Sequence, residues 1–134
     1  MNHAETRQYL LNKPATIEDY PFGPDIMVPK VKGKMFATLA WRGDTANINL
    51  KCNPDQIPGL IDTFEGIHPG YHMNKKHWVT VDLDGSVPAQ QVQQLIDQSY
   101  ALVVKGLQVK IRKALELEWG MAALYGVQTT SRAP

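Results

Sequence analysis

Between Gly66 and Val81 the chain sets three histidines, His68, His72 and His77, beside Lys75, Lys76 and Trp78, with no carboxylate in the segment. Imidazoles this close could ligate a metal, move a proton, or add positive charge to an anion-binding surface as pH falls. Metal ligation is disfavoured by pattern. The histidine spacing matches neither a zinc-finger arrangement nor the HExxH motif, and Cys52 is the only cysteine.

Cys52 is also the one thiol available for nucleophilic attack. It shares strand parity with Ile48 and Leu50, which sends it into the core, where a thiol is small and inert. Glu18 and Asp19 are adjacent in a turn-rich stretch, a poor arrangement for a separated acid and base. Neither a Walker A nor a GxGxxG string occurs. No catalytic residue, metal ligand or cofactor is assigned on these grounds. The expectation is a binding protein that is not an enzyme.

Charge distribution says more than net charge, which is only +1 and excludes a globally basic, histone-like profile. The segments 26–43, 66–81 and 98–115 carry ten of the fourteen lysines and arginines and none of the thirteen acids. The 134 residues fit one domain, with 43% hydrophobic and 20% charged residues near globular averages. One cysteine precludes an intramolecular disulfide. The polar start Met1-Asn2-His3-Ala4-Glu5 offers no apolar signal region, and no apolar run is long enough to span a bilayer. A monomer in the cytoplasm, without membrane association, is the resulting expectation.

The elements that must hold these residues follow from periodicity and breakers. A short helix over 4–13 stops at Pro14, and 17–24 reads as an ordered loop rich in breakers and aromatics. Three strands follow. The first covers 25–31, with Pro29 suggesting an edge position; the Lys32-Gly33 turn leads to the second, 34–41; the third covers 46–52. Asn53 is expected to cap a helix reaching about Phe64, weakened at Pro58-Gly59. A short strand at Tyr71–Met73 should turn at Asn74-Lys75 into a strand over 77–83, with Val79, Val81 and Leu83 inward and Trp78, Thr80 and Asp82 outward. Beyond Ser86 one long helix should bury Val92, Leu95, Ile96, Val103, Leu107, Ile111 and Leu115. Residues 119–134 read as a C-terminal extension with no clear period, disordered from Thr129 onward.

The expected fold is therefore α+β: a single two-layer domain of order α-β-β-β-α-β-β-α, with helices on one face of an antiparallel sheet. The other face would expose Thr38, Asn47, Asn49, Lys51, Trp78 and Thr80, a polar surface open to solvent or to a ligand.

Several strings occur in an order similar to the MmcQ/YjbR family. They are Glu18-Asp19-Tyr20-Pro21-Phe22-Gly23-Pro24, Gly33-Lys34-Met35-Phe36-Ala37, Leu50-Lys51-Cys52 and Pro69-Gly70-Tyr71-His72-Met73-Asn74-Lys75-Lys76-His77-Trp78. The resemblance runs from the first helix to about Leu115. It implies a fold akin to bacterial frataxin and secretion chaperones, and DNA binding through two β-hairpin wings. The tips of those wings would be the Lys30, Lys32, Lys34 turn and the Lys75, Lys76, His77 turn, with Lys51 and Trp78 beside them. Ammonium groups at a hairpin tip can reach phosphates while the sheet stays rigid. The same lysines could instead serve only to keep strand edges soluble. Trp78 could stack on a base or cover the sheet. A second function stays open, a protein-interaction or adaptor module that docks a protein partner on the polar sheet face.

Overall fold

The computed structural model describes residues 1–126. The chain opens with α1 (His3–Leu11), whose Asn2 accepts from the Glu5 amide while the Glu5 carboxylate accepts from the Asn2 amide. Such a capping box satisfies amides that the first helical turn leaves without partners. Five strands follow: β1 (Thr16–Asp19), β2 (Ile26–Val31), β3 (Lys34–Met35), β4 (Ala37–Arg42) and β5 (Thr45–Lys51). Then come α2 (Ile57–Thr63), β6 (Ile67–Pro69), β7 (Trp78–Asp82), α3 (Ala89–Lys105), α4 (Val109–Trp119) and α5 (Met121–Tyr125).

All the strand pairings are antiparallel. The sheet order is β1-β2-β4-β5-β7-β6, with β3 pairing β2. The architecture is α+β, a single domain of one antiparallel sheet packed against helices. One face of the sheet supplies Leu39, Ile48, Leu50, Val79 and Val81 to the core, all fully buried. The helix α3 lays Val92, Leu95, Ile96, Tyr100, Val103 and Val104 against it. Phe36 and Tyr100 meet edge to face at 5.1 Å between ring centroids, a preferred aromatic geometry.

Several expected elements are corrected. The stretch from Ile17 is not all loop, because Thr16–Asp19 pairs with Val28–Val31 as an edge strand. Pro29 is consequently not at the sheet edge. Its carbonyl accepts from the Phe36 amide at 3.2 Å, so the side of Pro29 that lacks an N–H faces the break between β3 and β4. There Val28 and Pro29 oppose Phe36, Ala37 and Thr38. A bulge has absorbed the missing donor.

Pro58 does not weaken α2 but sits in its first turn, where a proline costs no hydrogen bond. Tyr71–Met73 forms no strand; β6 lies earlier, at Ile67–Pro69. The long C-terminal helix is divided. Gly106 caps α3, its amide bonded to the Leu102 and Val103 carbonyls. Leu107 stays buried, but the new direction of α4 leaves Ile111 37% exposed. The helix α5 packs on α3 through buried Leu124, and the Tyr125 hydroxyl donates to Glu116 at 2.6 Å. The disorder expected from Thr129 lies outside the described residues. Among those residues, no helix is long and apolar enough to cross a membrane.

Candidate nucleic-acid interface and the covered sheet face

The turn between β2 and β3 is two residues long and has positive φ at both, 50° at Lys32 and 81° at Gly33. That is the type I′ geometry whose twist matches paired strands. It projects Lys32 and leaves Lys34 exposed beside it. The ladder then carries the same end of the sheet across Ala37 and Leu50 to Lys51 and Trp78, which are cross-strand partners. His77 adjoins that end, its carbonyl accepting from the Cys52 amide at 2.8 Å, and exposed Lys76 precedes it. Lys32, Lys34, Lys51, Lys76, His77 and Trp78 thus share one end of the sheet. Lys32 also lines a shallow groove with Lys110 and Glu118 of α4.

Two of the expected phosphate ligands are engaged within the protein. The Lys30 ammonium lies 2.8 Å from Asp19, and this partner, with the Tyr20 amide, holds the Asp19 carboxyl below the usual carboxylate range. The Lys75 ammonium donates to the Gly70 carbonyl at 2.9 Å. Lys32, Lys34, Lys51 and Lys76 make no ion pair among the described residues.

Residues 70–77 do not form a projecting tip. They fold back over the polar face of the sheet. The Tyr71 amide donates to Thr80 Oγ1 at 2.9 Å, the Asn49 side-chain Nδ2 donates to the Tyr71 carbonyl at 3.3 Å, and the Thr80 hydroxyl donates to Asn49 Oδ1. Thr38, Asn49 and Thr80, expected to face open solvent, are therefore buried. Gly70 lets the loop approach: a Cβ there would lie 2.9 Å from Trp78 Cβ and 3.0 Å from the Trp78 carbonyl oxygen. His72 adopts φ of 57° at the bend, an unusual conformation for a residue with a side chain.

The folded loop and the sheet line an open-sided cavity of about 490 Å³. Thr38, Asn47 and Asn49 form its floor, Phe22 and Ile26 one wall, and Tyr71, His72 and Met73 the roof. Arg42 closes one side, its guanidinium carbon 3.9 Å from the Tyr71 ring centroid. Sequence reasoning placed Thr38, Asn47 and Asn49 on this face but missed Phe22, Arg42 and Tyr71 as a group. Parity gives the face of a strand residue but carries no signal that a loop will return over it.

The histidines do not converge. His68 Nε2 is 2.8 Å from Asp82 Oδ2, His72 stands at the cavity rim, and His77 lies at the strand end. Among the described residues, no group of three or more His, Cys, Asp or Glu side chains could hold a metal ion. Cys52 is 3% exposed, and burial pushes its thiol pKa up, away from a reactive thiolate.

A protein-family model described as YjbR matches residues 11–102, more than half of the chain. The chain belongs to the YjbR family. This family member is 34% identical over 111 residues to YbdF of Escherichia coli O157:H7, an alignment covering 83% of this chain and 91% of YbdF. It is 32% identical over 115 residues to YjbR of Escherichia coli K12, covering 86% and 98% of the two chains. Both relatives are described as uncharacterised. The crystal structure of a Deinococcus radiodurans protein with a DUF419 domain superposes with a TM-score of 0.79 at 38% identity, covering 85% of this chain and 87% of that one. A Pseudomonas syringae crystal structure gives 0.68 at 34% identity, covering 76% and 98%. The YjbR match runs from the last residue of α1 into α3, and so includes both the sheet end and the covered face.

Proposed function

We propose that this YjbR-family protein is a binding protein, not an enzyme, and that it binds duplex DNA with little sequence preference. The observation that carries this reading is the gathering of Lys32, Lys34, Lys51 and Lys76 at one end of the sheet. Neighbouring strands lie about 4.8 Å apart, so the basic edge from the β2–β3 turn across Lys51 of β5 to the start of β7 is roughly 10–15 Å across, comparable with the roughly 12 Å major groove. Lysines of this kind contact phosphates as point charges and carry no base code. Trp78, half-buried beside Lys51, stiffens the edge more than it offers a stacking platform. The engaged Lys30 and Lys75 are left out of the interface.

A protein partner docked flat on the polar sheet face is less favoured, because the 70–77 loop occupies the centre of that face. The deciding experiment is titration of a fluorescent duplex at several salt concentrations. Binding at ~50 mM salt with a log–log slope reduced by about 3–4 in the Lys32→Ala/Lys34→Ala/Lys51→Ala/Lys76→Ala variant is expected. No binding at that salt, or an unchanged slope in a folded variant, overturns the reading.

A further inference from the structure

The cavity between the 70–77 loop and the sheet has features that a phosphate-binding edge does not require. Its volume of about 490 Å³ lies within the range of small-molecule sites, about 300–1,000 Å³. Its apolar surfaces come from Phe22, Ile26, Tyr71 and Met73, and Phe22 is 59% exposed.

Polar groups meet these surfaces without protein partners. Among the described residues, the Thr38 hydroxyl, the Asn47 carboxamide and the Arg42 guanidinium make no side-chain hydrogen bond and no ion pair. Arg42 is instead set over Tyr71. A guanidinium against a ring face keeps its N–H edge for a planar anion such as a carboxylate or phosphate. Asp82 is the direct cross-strand partner of Asn47, and its Oδ2 is engaged by His68. The roof is held by the Tyr71 backbone bonds to Thr80 and Asn49, so the cavity is formed before a ligand arrives.

We propose that this cavity binds a small planar aromatic molecule carrying a carboxylate or phosphate. The ring lies between Phe22 and Met73, beside the edge of Tyr71, whose ring is stacked with Arg42 and His68; Asn47 and Thr38 hydrogen-bond its polar edge, and Arg42 takes the anion. This assignment stands apart from the DNA reading, since it uses none of the lysines at the sheet end.

The test is an amide-detected NMR titration of the full chain with two probes, adenosine 5′-monophosphate and indole-3-carboxylate. Two arms are used because the anion could be either acid. The expected result is saturable shifts centred on Asn47, Tyr71 and Met73 with at least one probe, at a dissociation constant of about 1 mM or tighter. Arg42→Gln should weaken that binding about ten- to a hundredfold while leaving the rest of the spectrum unchanged. The uncharged counterparts, adenosine and indole, should bind the unaltered protein correspondingly more weakly. Absence of saturable shifts with both probes, or equal affinity in Arg42→Gln, overturns the proposal. Shifts confined to Lys32, Lys34 and Lys76 also overturn it, by placing the anion on the basic edge.

Discussion

The hydroxyl of Ser99, fully buried in the middle of α3, donates to the Phe36 carbonyl at 2.6 Å. The same oxygen accepts from the Lys51 amide at 2.9 Å. One helix side chain therefore satisfies backbone groups on two strands, at the bulge where β3 gives way to β4 and at the end of β5. Replacing Ser99 by Ala leaves a buried carbonyl and a part-buried amide unpaired. The Ser99→Ala variant should lose about 1–3 kcal/mol of stability, read as a lower urea midpoint with an unchanged slope.

The roof of the cavity depends on Thr80 in a similar way. Thr80→Val keeps the shape but removes the acceptor for the Tyr71 amide and the donor to Asn49. Hydrogen exchange at Tyr71–Met73 should accelerate strongly, while the β6–β7 ladder at Ile67 and Val81 stays protected. Equal protection of the loop in both proteins would show that packing, not these bonds, holds it down.

Glu18 supplies a pH dependence. The Tyr20 hydroxyl and the Arg7 guanidinium both bond its carboxylate and hold its pKa below the ordinary 4.5. Arg7 contacts both carboxylate oxygens, at 2.8 and 2.7 Å. A depressed folded-state pKa stabilises the protein above the unfolded value, and that contribution is lost as pH falls through the folded one. Between about pH 5 and about pH 3 the urea midpoint should therefore fall further in the native protein than in Glu18→Gln. Parallel curves would remove Glu18 from the acid response.

Lys32 pays for its place in the turn with a left-handed backbone. Asparagine tolerates that conformation better, so Lys32→Asn should raise stability by up to about 1 kcal/mol. It should at the same time lower DNA affinity at low salt. A thermal melt and one duplex titration on the same sample separate the two effects. A variant both less stable and unaltered in binding would contradict the geometry and the interface together.

The core was largely legible because burial enforces parity. Ile48, Leu50 and Cys52 on one face, and Val79, Val81 and Leu83 in β7, fall where alternation puts them. The C-terminal helical stripe was legible in content but not in direction, since Val103 and Leu115 are both buried although Gly106 turns the chain between them. Glycine after a periodic stretch is a weak stop signal when apolar residues continue beyond it. The strand at Thr16–Asp19 was hidden because its Ile17 is 67% exposed and its other side chains are polar. Its pairing comes from the β2 backbone, and its side chains bind Arg7 and Lys30. The cavity was least legible. It is assembled by one loop whose anchors, Asn49 and Thr80, look in sequence like ordinary solvent-facing strand residues.

Two hydrogen bonds tie the start of the chain to α3: Tyr9 to Asp97 and Tyr100 to the Pro14 carbonyl, across 88 and 86 residues. During synthesis the amino end leaves the ribosome first. The strands can pair as they emerge, yet Leu39, Ile48 and Leu50 keep their apolar face in water until α3 arrives to cover it. The α1 segment, made before the strands, can bond β1 through Arg7 and Glu18, but its Tyr9 contact waits for α3. From the pairing of β4 with β5 until α3 follows β7, the nascent chain must carry an uncovered sheet, and that interval is when a holding chaperone would find it.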